Sequence, residues 1–460
     1  MTPGAVNTAV GSLREQIARL RELGALSTVE RPVSPVHELA AVAQRCDVEN
    51  GPALLFTDVG KRSGRVVIGT DGTRDRVAAA LGVEVGELTE RYARALTDPI
   101  RPVEAGSGPV HENVRTGDEI DLTELPILTH FEHDGGPYIT SGIVTSVHPH
   151  TGERNLSYHR MQVKGAQELR MVIVPRHLHR IYEAYEAMDR PMPVSIVLGV
   201  DTPLRFAAGT SGSAVPFGFD EYAIAGGLRG RGEELVRCVT NDLLVPAHAE
   251  IVLEGYVPAH ERADEGPFAE FAGYYKGVTP RHVVRITAIT HRHDPVYQGL
   301  VSGSAEQLLL MGLPNEPAML TAMRGGIAGV RSINVTQGGL HKFHVVVSVD
   351  KQHEGDGKDA IVAAFAAHRD VKLVVVVDHD VDPFDPVAVE RAVATWFRAG
   401  EDLVVLAGGK GNPVDKLLTA AGTTTRMGMD ATAPLAPASA DTRAVIPGAA
   451  HIDLGEWLVG

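Results

Sequence analysis

Two glutamates separated by a turn form the most suggestive short motif of this sequence. The segment EGPFAEFAGYY places Glu265 and Glu270 five residues apart, with Gly266 and Pro267 between them. Five residues along a helix or a strand direct two side chains to different faces, so a regular element would separate these carboxyl groups. Gly-Pro is a strong turn former. We therefore expect an irregular loop that presents both carboxyl groups to a common partner.

An arginine on a predicted strand is the candidate for that partner. Arg160 lies in NLSYHRMQVKG, where a period of two puts it on the same face as Tyr158 and Gln162. In a closed cleft an unpaired arginine is costly, so it would need carboxylate partners. A Glu-Arg-Glu set offers a forked cation for a substrate carboxylate and two carboxyl groups, of which one can hold a proton. From these residues alone, a solvated arginine or a structural ion-pair network is the alternative.

Three further polar residues are suited to a hard metal ion. Asn155 opens a strand after a turn, His177 begins a helix after the apolar MVIVP, and Glu221 lies in the first turn of the helix DEYAIAGGL. An amide oxygen, a neutral imidazole nitrogen and a carboxylate form a ligand set for Mn²⁺ or Mg²⁺, with room left for a phosphate oxygen. On spacing alone, a turn residue, a helix-end polar group and a cap partner are the simpler explanation.

Other motif-like segments are weaker candidates for metal or nucleotide sites. HFEHD (130–134) and HRHD (291–294) contain metal-binding residue types, but they lie in predicted loops without helical spacing. GGKGNP lacks the upstream glycine of a phosphate loop, and GGLRGRG does not follow a strand of a βαβ unit. None of these segments is predicted to be a site.

Composition and charge narrow the possible partners. The chain has 460 residues, 44% of them apolar, which favours two or three domains with buried cores. A net charge of -15 and the absence of a basic run argue against a nucleic-acid partner. Cys46 and Cys238 are too far apart for a disulfide framework or a cysteine zinc site. No apolar run suits a signal peptide or a membrane span, so we expect a cytoplasmic protein without a membrane partner.

The pattern of predicted elements divides the chain into three parts. Residues 1–108 mix helices and strands and form an N-terminal α/β domain, with a Pro- and Gly-rich linker at 99–114. Residues 109–300 are rich in alternating β-branched strands, typical of a mostly antiparallel sheet or barrel. Residues 301–460 alternate apolar strands with helices, which predicts βαβ units on a parallel sheet. The predicted fold class is α/β, as an α+β multidomain protein.

Several of these segments together resemble one family. They are NLSYHR, VPRHL, DEYAIAGGLRG, VRCVTNDLLVPAHAEIVLEG, EGPFAEFAGYY, VVVVDHDVDPFDP and RMGMDATAP, and they follow one another over nearly the whole chain. In this order they are similar to the UbiD-like decarboxylases, which use prenylated flavin mononucleotide (prenylated FMN). The resemblance implies an N-terminal α/β part, a central flavin-binding split β-barrel and a C-terminal α/β domain used in dimer contacts.

The resemblance also assigns roles to particular positions. It implies that Arg160, Glu265 and Glu270 are catalytic, with Glu270 in the place of the proton donor. It implies that Asn155, His177 and Glu221 bind a divalent metal, Mn²⁺ or Mg²⁺, with K⁺ as a further ion. The residues implied to bind the cofactor are Asn155, Ser157, Tyr158, His159, Arg160, Arg176, His177, Glu221 and Arg426. Arg426 replaces a lysine that relatives often carry, and Glu270 replaces an aspartate of many members.

The implied function is a reversible, non-oxidative decarboxylation. The substrate would be an aromatic, heteroaromatic or α,β-unsaturated carboxylic acid that forms an adduct with the flavin, loses CO₂ and is protonated by Glu270. The implied partners are a flavin prenyltransferase that supplies the cofactor and further copies of the chain in a homodimer or a larger homo-oligomer. Two alternatives stay open: a metal-dependent hydrolase without flavin, and a non-catalytic flavin-carrying subunit of a decarboxylase complex.

Overall fold

The computed structural model describes residues 8–60, 64–210 and 215–435, with 446–448, 452 and 457. Residues 211–214 and most of the chain after residue 435 thus lie outside the described residues. None of the described helices combines the length and apolar content needed to cross a bilayer.

The described helices and strands fall into three consecutive parts of the chain. The first part contains α1 (Leu13–Glu22), β1 (Leu26–Val29), α2 (Glu38–Val48), β2 (Ala53–Val59), β3 (Gly64–Ile68), α3 (Arg74–Leu81) and α4 (Leu88–Thr97). The second contains β4 (Val103–Glu104), β5 (Asn113–Thr116), β6 (Tyr138–Ile139), β7 (Ile143–Val147), β8 (Arg154–Tyr158), β9 (Met161–Val163), β10 (Glu168–Met171), α5 (His177–Glu186), β11 (Met192–Leu198), α6 (Thr202–Gly209), α7 (Glu221–Arg229), β12 (Glu234–Arg237), β13 (Leu244–Pro246), β14 (Ile251–Val257), β15 (Arg262–Glu265), β16 (Phe268–Ala269), β17 (Tyr275–Lys276), β18 (Thr279–His291) and β19 (Val296–Gln298). The third contains α8 (Ala305–Gly312), α9 (Glu316–Arg324), β20 (Val330–Val335), β21 (His344–Val349), α10 (Asp356–Ala367), β22 (Leu373–Asp378), α11 (Pro386–Trp396), β23 (Leu403–Lys410) and β24 (Thr423–Asp430).

The first part contains a small mixed sheet, and one strand of this sheet comes from the second part. Its order is β1-β2-β3-β19, with β1 and β19 parallel to their neighbours and β2 antiparallel to β3. The core under it is continuous with the central core, because Leu39 and Phe56 pack in the same buried cluster as Ile139 and Ile196. The first two parts therefore share one hydrophobic core.

The central sheet is large and mostly antiparallel, as predicted. Its path runs β6-β9-β10-β18-β14-β11-β7-β8, with β5 and β15 also paired to β18. Among the described residues the two end strands of this path do not pair, so the expected split barrel is an open sheet in its hydrogen bonding. The linker predicted at 99–114 is partly structured, because β4 pairs with β12 and β5 with β18.

One predicted strand of the central sheet is broken, and the break matters for the site. NLSYHRMQVKG was expected to be continuous, but β8 ends at Tyr158 and pairs with β7, whereas β9 begins at Met161 and pairs with β6 and β10. At the two residues between β8 and β9 the chain passes from pairing with β7 to pairing with β6 and β10. The alternation of side chains expected from Tyr158 through Arg160 to Gln162 therefore does not hold. The Arg160 side chain extends from the break between β8 and β9.

The third part forms a sheet of its own. The order is β20-β21-β22-β24-β23, with β21, β22 and β24 parallel and the two edge strands antiparallel. The expected parallel sheet is thus correct only for its three central strands. Val345, Val347, Val374 and Val376 form its core against α9 and α10. Long runs of valine on these strands fit burial on both faces.

A buried charge network joins the three parts beneath the central sheet. The Arg205 side chain of α6 is 1% exposed and forms ion pairs with Asp71, which follows β3, and with Glu306 of α8. Arg205 also donates to Thr70 Oγ1 (2.9 Å), and Glu306 accepts the Asp71 backbone N–H (3.0 Å). Such a network is costly to break once assembled, since each remaining charge would be left without a partner.

Replacement of this arginine tests the network. Arg205→Met should lower the free energy of unfolding by about 3 to 5 kcal/mol, because two buried carboxylates lose their cation. The measurement is urea denaturation followed by fluorescence. The control is Arg391→Gln on the exposed face of α11, which should change stability by less than about 0.5 kcal/mol. A change of similar size in both variants would contradict the structural role of Arg205.

Candidate active site

The structure brings Arg160, Glu265 and Glu270 into one cluster. Arg160 Nε donates to Glu265 Oε1 and Nη2 to Glu265 Oε2, both at 3.0 Å. The remaining Nη1 forms an ion pair with Glu270. Arg160 therefore holds one carboxylate with two parallel hydrogen bonds and the second with a single nitrogen. The side chain of Glu265 is fully buried, whereas that of Glu270 is 23% exposed, which leaves Glu270 as the carboxyl group that a bound molecule can reach.

The turn between the glutamates has the irregular form that its sequence predicts. Glu265 ends β15, which pairs with β18, and Gly266 then adopts φ 110°. That conformation lies in the region that favours glycine. After the two residues of β16 the chain turns again, and the Glu270 backbone N–H donates to the Tyr274 carbonyl (3.0 Å). The two carboxyl groups thus lie on either side of a tight loop rather than along one strand.

Two aromatic side chains support the cluster, and their sequence positions had not indicated this. The Tyr138 hydroxyl donates to Glu265 Oε1 (3.1 Å), and its ring packs against Phe268 with centroids 4.5 Å apart. The Arg160 guanidinium lies over the Phe268 ring, 4.8 Å from its centroid. Cation–π contact and the tyrosine hydrogen bond both fix the orientation of the ion pair.

Polar contacts from β9 fix the turn itself. Gln162 Oε1 accepts the Gly266 N–H (3.1 Å), and Gln162 Nε2 donates to the Gly135 carbonyl (2.6 Å). Gly135 in turn donates its N–H to the Pro267 carbonyl (2.8 Å). A Cβ atom at Gly135 would collide with the Gly266 carbonyl. No local sequence pattern reveals this contact, because the two glycines come from distant loops.

Burial and charge act in opposite directions on the cluster. Burial alone would lower the pKa of Arg160, but the hydrogen bonds to Glu265 and the negative charges of both glutamates raise it above its ordinary value. Burial and the neighbouring Glu265 also raise the pKa of the Tyr138 hydroxyl. Both groups therefore stay protonated and act as hydrogen-bond donors at neutral pH.

Asn155, His177 and Glu221 come from three elements that pack together. Asn155 lies on β8, and His177 and Glu221 are the first residues of α5 and α7. Glu221 Oε2 accepts the backbone N–H of Leu156, the residue after Asn155 (3.0 Å). The His177 ring packs edge-on against Phe217, with centroids 5.6 Å apart. Both helix starts therefore lie at the same end of β8.

The electrostatics of this set fit a cation. Burial raises the pKa of Glu221 to about 8, and the positive charge of Arg154 opposes this shift only weakly. Burial, together with the charges of Arg176 and Arg180, lowers the pKa of His177 and favours the neutral imidazole that metals bind. A buried carboxyl group without a close cation and a neutral imidazole are the groups that a divalent ion would satisfy. The described residues contain no group of three or more His, Cys, Asp or Glu side chains placed to hold a metal ion.

Two alternate side chains of β8 and that of His159, just after it, form a hydrogen-bonded row beside this set. Asn155 Nδ2 donates to Ser157 Oγ (2.9 Å), and Ser157 shares a hydrogen bond with His159 Nε2 (2.9 Å). His159 Nδ1 lies 2.8 Å from the Val172 carbonyl, and burial lowers the pKa of this histidine to about 4. A neutral ring that donates from Nδ1 accepts at Nε2. The row therefore uses the Asn155 amide nitrogen and leaves its oxygen for another partner.

Two residues implied to bind the cofactor lie apart from this row. The Tyr158 side chain is on the opposite face of β8, packs against the hydrophobic core, and has its pKa raised by burial to about 12. Arg426 lies on β24, where its guanidinium donates to the carbonyls of Phe365 (3.1 Å), Arg369 (2.5 Å) and Lys410 (3.2 Å). In the structure the Tyr158 side chain thus packs against the hydrophobic core, and the Arg426 side chain binds backbone carbonyls of the C-terminal part.

The histidine-rich loops have structural contacts. In HFEHD, Asp134 accepts the backbone N–H groups of Phe131 and Ala269, both at 3.0 Å, and so ties this loop to the segment before Glu270. Burial lowers the pKa of His130 to about 4. In HRHD, Asp294 pairs with Arg65 (2.8 Å). Neither loop gathers metal-binding side chains among the described residues.

A cavity of about 250 Å³ lies beside the glutamate loop. It is lined by His37, Ala40, Ala41, Gln44, His130, Phe131, Glu132 and Val301. Ser302, the residue after Val301, donates from Oγ to the Ala269 carbonyl (2.9 Å), directly before Glu270. Val301 and residues of α2 therefore form walls of a cavity near this loop.

Known proteins resemble the chain over its full described length. Sequence models of the N-terminal, Rift-related and C-terminal domains of 3-octaprenyl-4-hydroxybenzoate carboxy-lyase match residues 17–96, 101–305 and 308–431. An anhydromevalonate phosphate decarboxylase of Methanosarcina mazei is 40% identical over 94% of this chain and 99% of its own. A gallate decarboxylase of Lactiplantibacillus plantarum is 31% identical over 86% and 82%.

The comparison with solved structures agrees with the comparison of sequences. The UbiD-class enzyme HmfF of Pelotomaculum thermopropionicum, in complex with FMN, superimposes with a TM-score of 0.93 at 40% identity and covers 97% of this chain and 100% of its own. An evolved dimeric form of HmfF in complex with prFMN gives a TM-score of 0.89 at 38% identity, over 98% and 100%. The chain belongs to the UbiD family of carboxy-lyases and is a prenylated-FMN-dependent decarboxylase.

Proposed function

We propose that this chain catalyses the reversible, non-oxidative decarboxylation of an aromatic, heteroaromatic or α,β-unsaturated acid, with Arg160, Glu265 and Glu270 as catalytic residues. The observation that supports this proposal is the pairing of one arginine with both glutamates, of which only Glu270 is partly exposed. The hydrolase alternative loses its support, because the chain belongs to a decarboxylase family.

Arg160 would orient the substrate carboxylate. Its guanidinium is held by the two hydrogen bonds that it donates to Glu265 and by the face of Phe268. Because Glu265 is fully buried and also accepts from Tyr138, it fixes the arginine and has no route to the substrate. A fixed donor fork reduces the entropy lost when the carboxylate binds. Glu265 is therefore a positioning residue for Arg160.

Glu270 would deliver the proton that replaces CO₂ on the substrate carbon. The bond between that carbon and the carboxylate would break, CO₂ would leave, and the carbon would take a proton that the partly exposed Glu270 has first taken up from water. In the reverse direction Glu270 would accept the proton as CO₂ adds. Proton transfer of this kind typically contributes about 10² to 10⁴-fold to the rate.

The Asn155, His177 and Glu221 set would hold a divalent metal, Mn²⁺ or Mg²⁺, at the flavin phosphate. Ser157, His159 and Arg176 lie beside this set along β8 and before α5, where they would contact the cofactor. When bound, prenylated FMN supplies the electron sink for the negative charge left by CO₂. The evolved dimeric HmfF that holds prFMN supports this cofactor.

The relatives support this substrate class. The cavity of about 250 Å³ near the glutamate loop has both apolar and polar walls. Relatives by name act on gallate, a phenolic acid, and on anhydromevalonate phosphate. A flavin prenyltransferase would supply the cofactor, and a homodimer is the assembly we propose.

Replacement of Glu270 separates proton delivery from cofactor binding. Glu270→Gln should retain flavin and metal but lower turnover, and substrate H/D exchange, by about 10² to 10⁴-fold. The control is Asp264→Asn, which alters an exposed carboxyl group of β15 near the loop and should keep full activity. The measurement is exchange and CO₂ release by the purified chain after co-expression with a flavin prenyltransferase.

Two outcomes of this experiment would contradict the proposal. A fully active Glu270→Gln protein would remove Glu270 from the proton step. A purified wild-type chain that holds the flavin but turns over no acid in a broad screen would favour the non-catalytic subunit.

Metal binding should release a proton from Glu221. Because burial raises the pKa of this carboxyl group to about 8, it is protonated at pH 7 without metal, and the affinity for Mn²⁺ should rise about tenfold per pH unit up to that pKa. Calorimetry in buffers of different ionisation enthalpy measures the proton. Glu221→Gln should weaken binding and abolish the release, whereas Glu183→Gln on the exposed face of α5 should not. Affinity independent of pH between 6 and 8 would contradict this assignment.

A further inference from the structure

The cavity of about 250 Å³ near the glutamate loop has a buried floor and an open mouth. Ala40, His130 and Val301 form its floor, and each of them is at most 5% exposed. The exposed residues His37 and Glu132 lie at its mouth. A cavity of about 150 Å³ holds one benzene ring, so this cavity has room for a ring with substituents. A small molecule can therefore enter from solvent and reach buried side chains.

One side chain of the floor has an unused hydrogen-bonding atom. Burial lowers the pKa of His130 to about 4, so its ring is neutral at pH 7 and has one donor and one acceptor nitrogen. The Leu300 carbonyl lies near the ring and can accept only from the donor nitrogen. Within the described part of the chain, no group donates a hydrogen bond to the acceptor nitrogen. A buried acceptor without a donor is costly, and a bound molecule with an O–H or N–H group would satisfy it.

The charge and the walls of the cavity favour one kind of molecule. The described residues that line it include no lysine or arginine, and Glu132 is the acidic residue among them. A carboxylate or phosphate would thus be held there without a cation. Phe131 offers an aromatic surface, and Ala40 and Val301 offer aliphatic surface against which a ring can pack. This lining suits an uncharged ring that carries a hydrogen-bond donor.

Backbone hydrogen bonds hold the two sides of the cavity together. The His37 N–H donates to the Thr129 carbonyl (2.9 Å), and the Thr129 N–H donates to the Pro35 carbonyl (3.1 Å). His37 adopts φ 65°, a left-handed conformation that is uncommon for residues other than glycine. Because Thr129 directly precedes His130, the start of α2 and this histidine keep a fixed relative position. The cavity is therefore formed before any molecule binds.

Hydrogen bonds connect the walls of the cavity to Glu270. Asp134 accepts the backbone N–H groups of Phe131, a wall residue, and of Ala269, both at 3.0 Å. Ser302, which follows a floor residue, donates from Oγ to the Ala269 carbonyl (2.9 Å). Both backbone groups of Ala269 are thus held by segments that form the cavity. Since Ala269 directly precedes Glu270, contacts inside the cavity bear on the position of this glutamate.

We propose that this cavity is a second binding site, for an uncharged aromatic molecule with a hydrogen-bond donor, such as a phenol, and that its occupation steadies the loop that carries Glu270. The donor binds the free nitrogen of His130, and the ring packs between Phe131 and α2. The site is separate from the cluster around Arg160, which takes acids. Binding at this site does not depend on the proposed function, whereas its effect on catalysis through Glu270 rests on that function.

Phenol tests the site without turnover. Calorimetric titration of the flavin- and Mn²⁺-loaded protein should show one phenol bound per chain. Toluene, which lacks the donor, should bind at least about tenfold more weakly, and benzoate should not compete with phenol. His130→Leu should weaken phenol binding by a similar factor, whereas His130→Gln, which keeps an acceptor, should retain most of it.

A matched pair of variants on α2 locates the bound phenol. Ala41 is exposed and lines the cavity, so Ala41→Phe should fill the mouth and weaken phenol binding at least about tenfold. Val48 is 72% exposed at the end of the same helix and outside the lining, so Val48→Phe should bind phenol as the wild type does. No phenol binding by the loaded protein, or equal binding by the two variants, would overturn the proposal. Loss of phenol binding in Arg160→Gln but not in Ala41→Phe would also overturn it, because phenol would then bind in the catalytic cluster.

Amide hydrogen exchange tests the connection to Glu270. If the glutamate loop opens only when the cavity is empty, phenol at about ten times its Kd should slow exchange in residues 265–275 about tenfold. Ser302→Ala removes one hydrogen bond to Ala269 and should reduce this protection, and the amides of α11 should be unaffected by phenol. Unchanged exchange in 265–275 with phenol bound would overturn the connection. If no acid of any kind is turned over, the proposed function fails, and the titration and the exchange still decide on the cavity.

Discussion

The site depends on the burial of one guanidinium group. Arg160 lies at the break between β8 and β9, over Phe268 and under the glutamate loop, where an unpaired cation would be expensive. The guanidinium is satisfied by two hydrogen bonds that it donates to buried Glu265 and by an ion pair with Glu270. This constraint fixes the turn at Gly266, since only a chain that reverses there presents both carboxyl groups to one arginine. It also fixes the different roles of the glutamates, because one is enclosed and the other reaches the cleft.

All three parts of the chain contribute to the environment of this ion pair. The central sheet supplies the arginine, the glutamates and the row from Asn155 to His159. The first part closes the cavity with α2, and its core is shared with the central sheet. The C-terminal part reaches the glutamate loop through Pro413 and Lys416.

The sequence predicts the features that depend on neighbouring residues, such as helix starts and turns. It does not predict contacts between distant parts of the chain. Helix starts at His177 and Glu221, most strands, and the turn at Gly266 follow from periodicity and turn chemistry. The break after Tyr158 does not, because a change of sheet partner leaves no mark in the alternation of side chains. The support from Tyr138 and Gln162 depends on loops more than a hundred residues away. For Arg426, family resemblance suggested a cofactor contact, whereas the local packing assigns it to backbone carbonyls.

A double-mutant cycle tests the central claim that Glu265 acts through Arg160. The cycle compares Arg160→Gln, Glu265→Gln and the double variant by turnover per bound flavin. If Glu265 only holds the arginine, the double variant will be no slower than Arg160→Gln alone, so the two losses will not add. A double variant whose rate falls by the product of the two single losses would contradict the claim, because it would show that the two residues act independently.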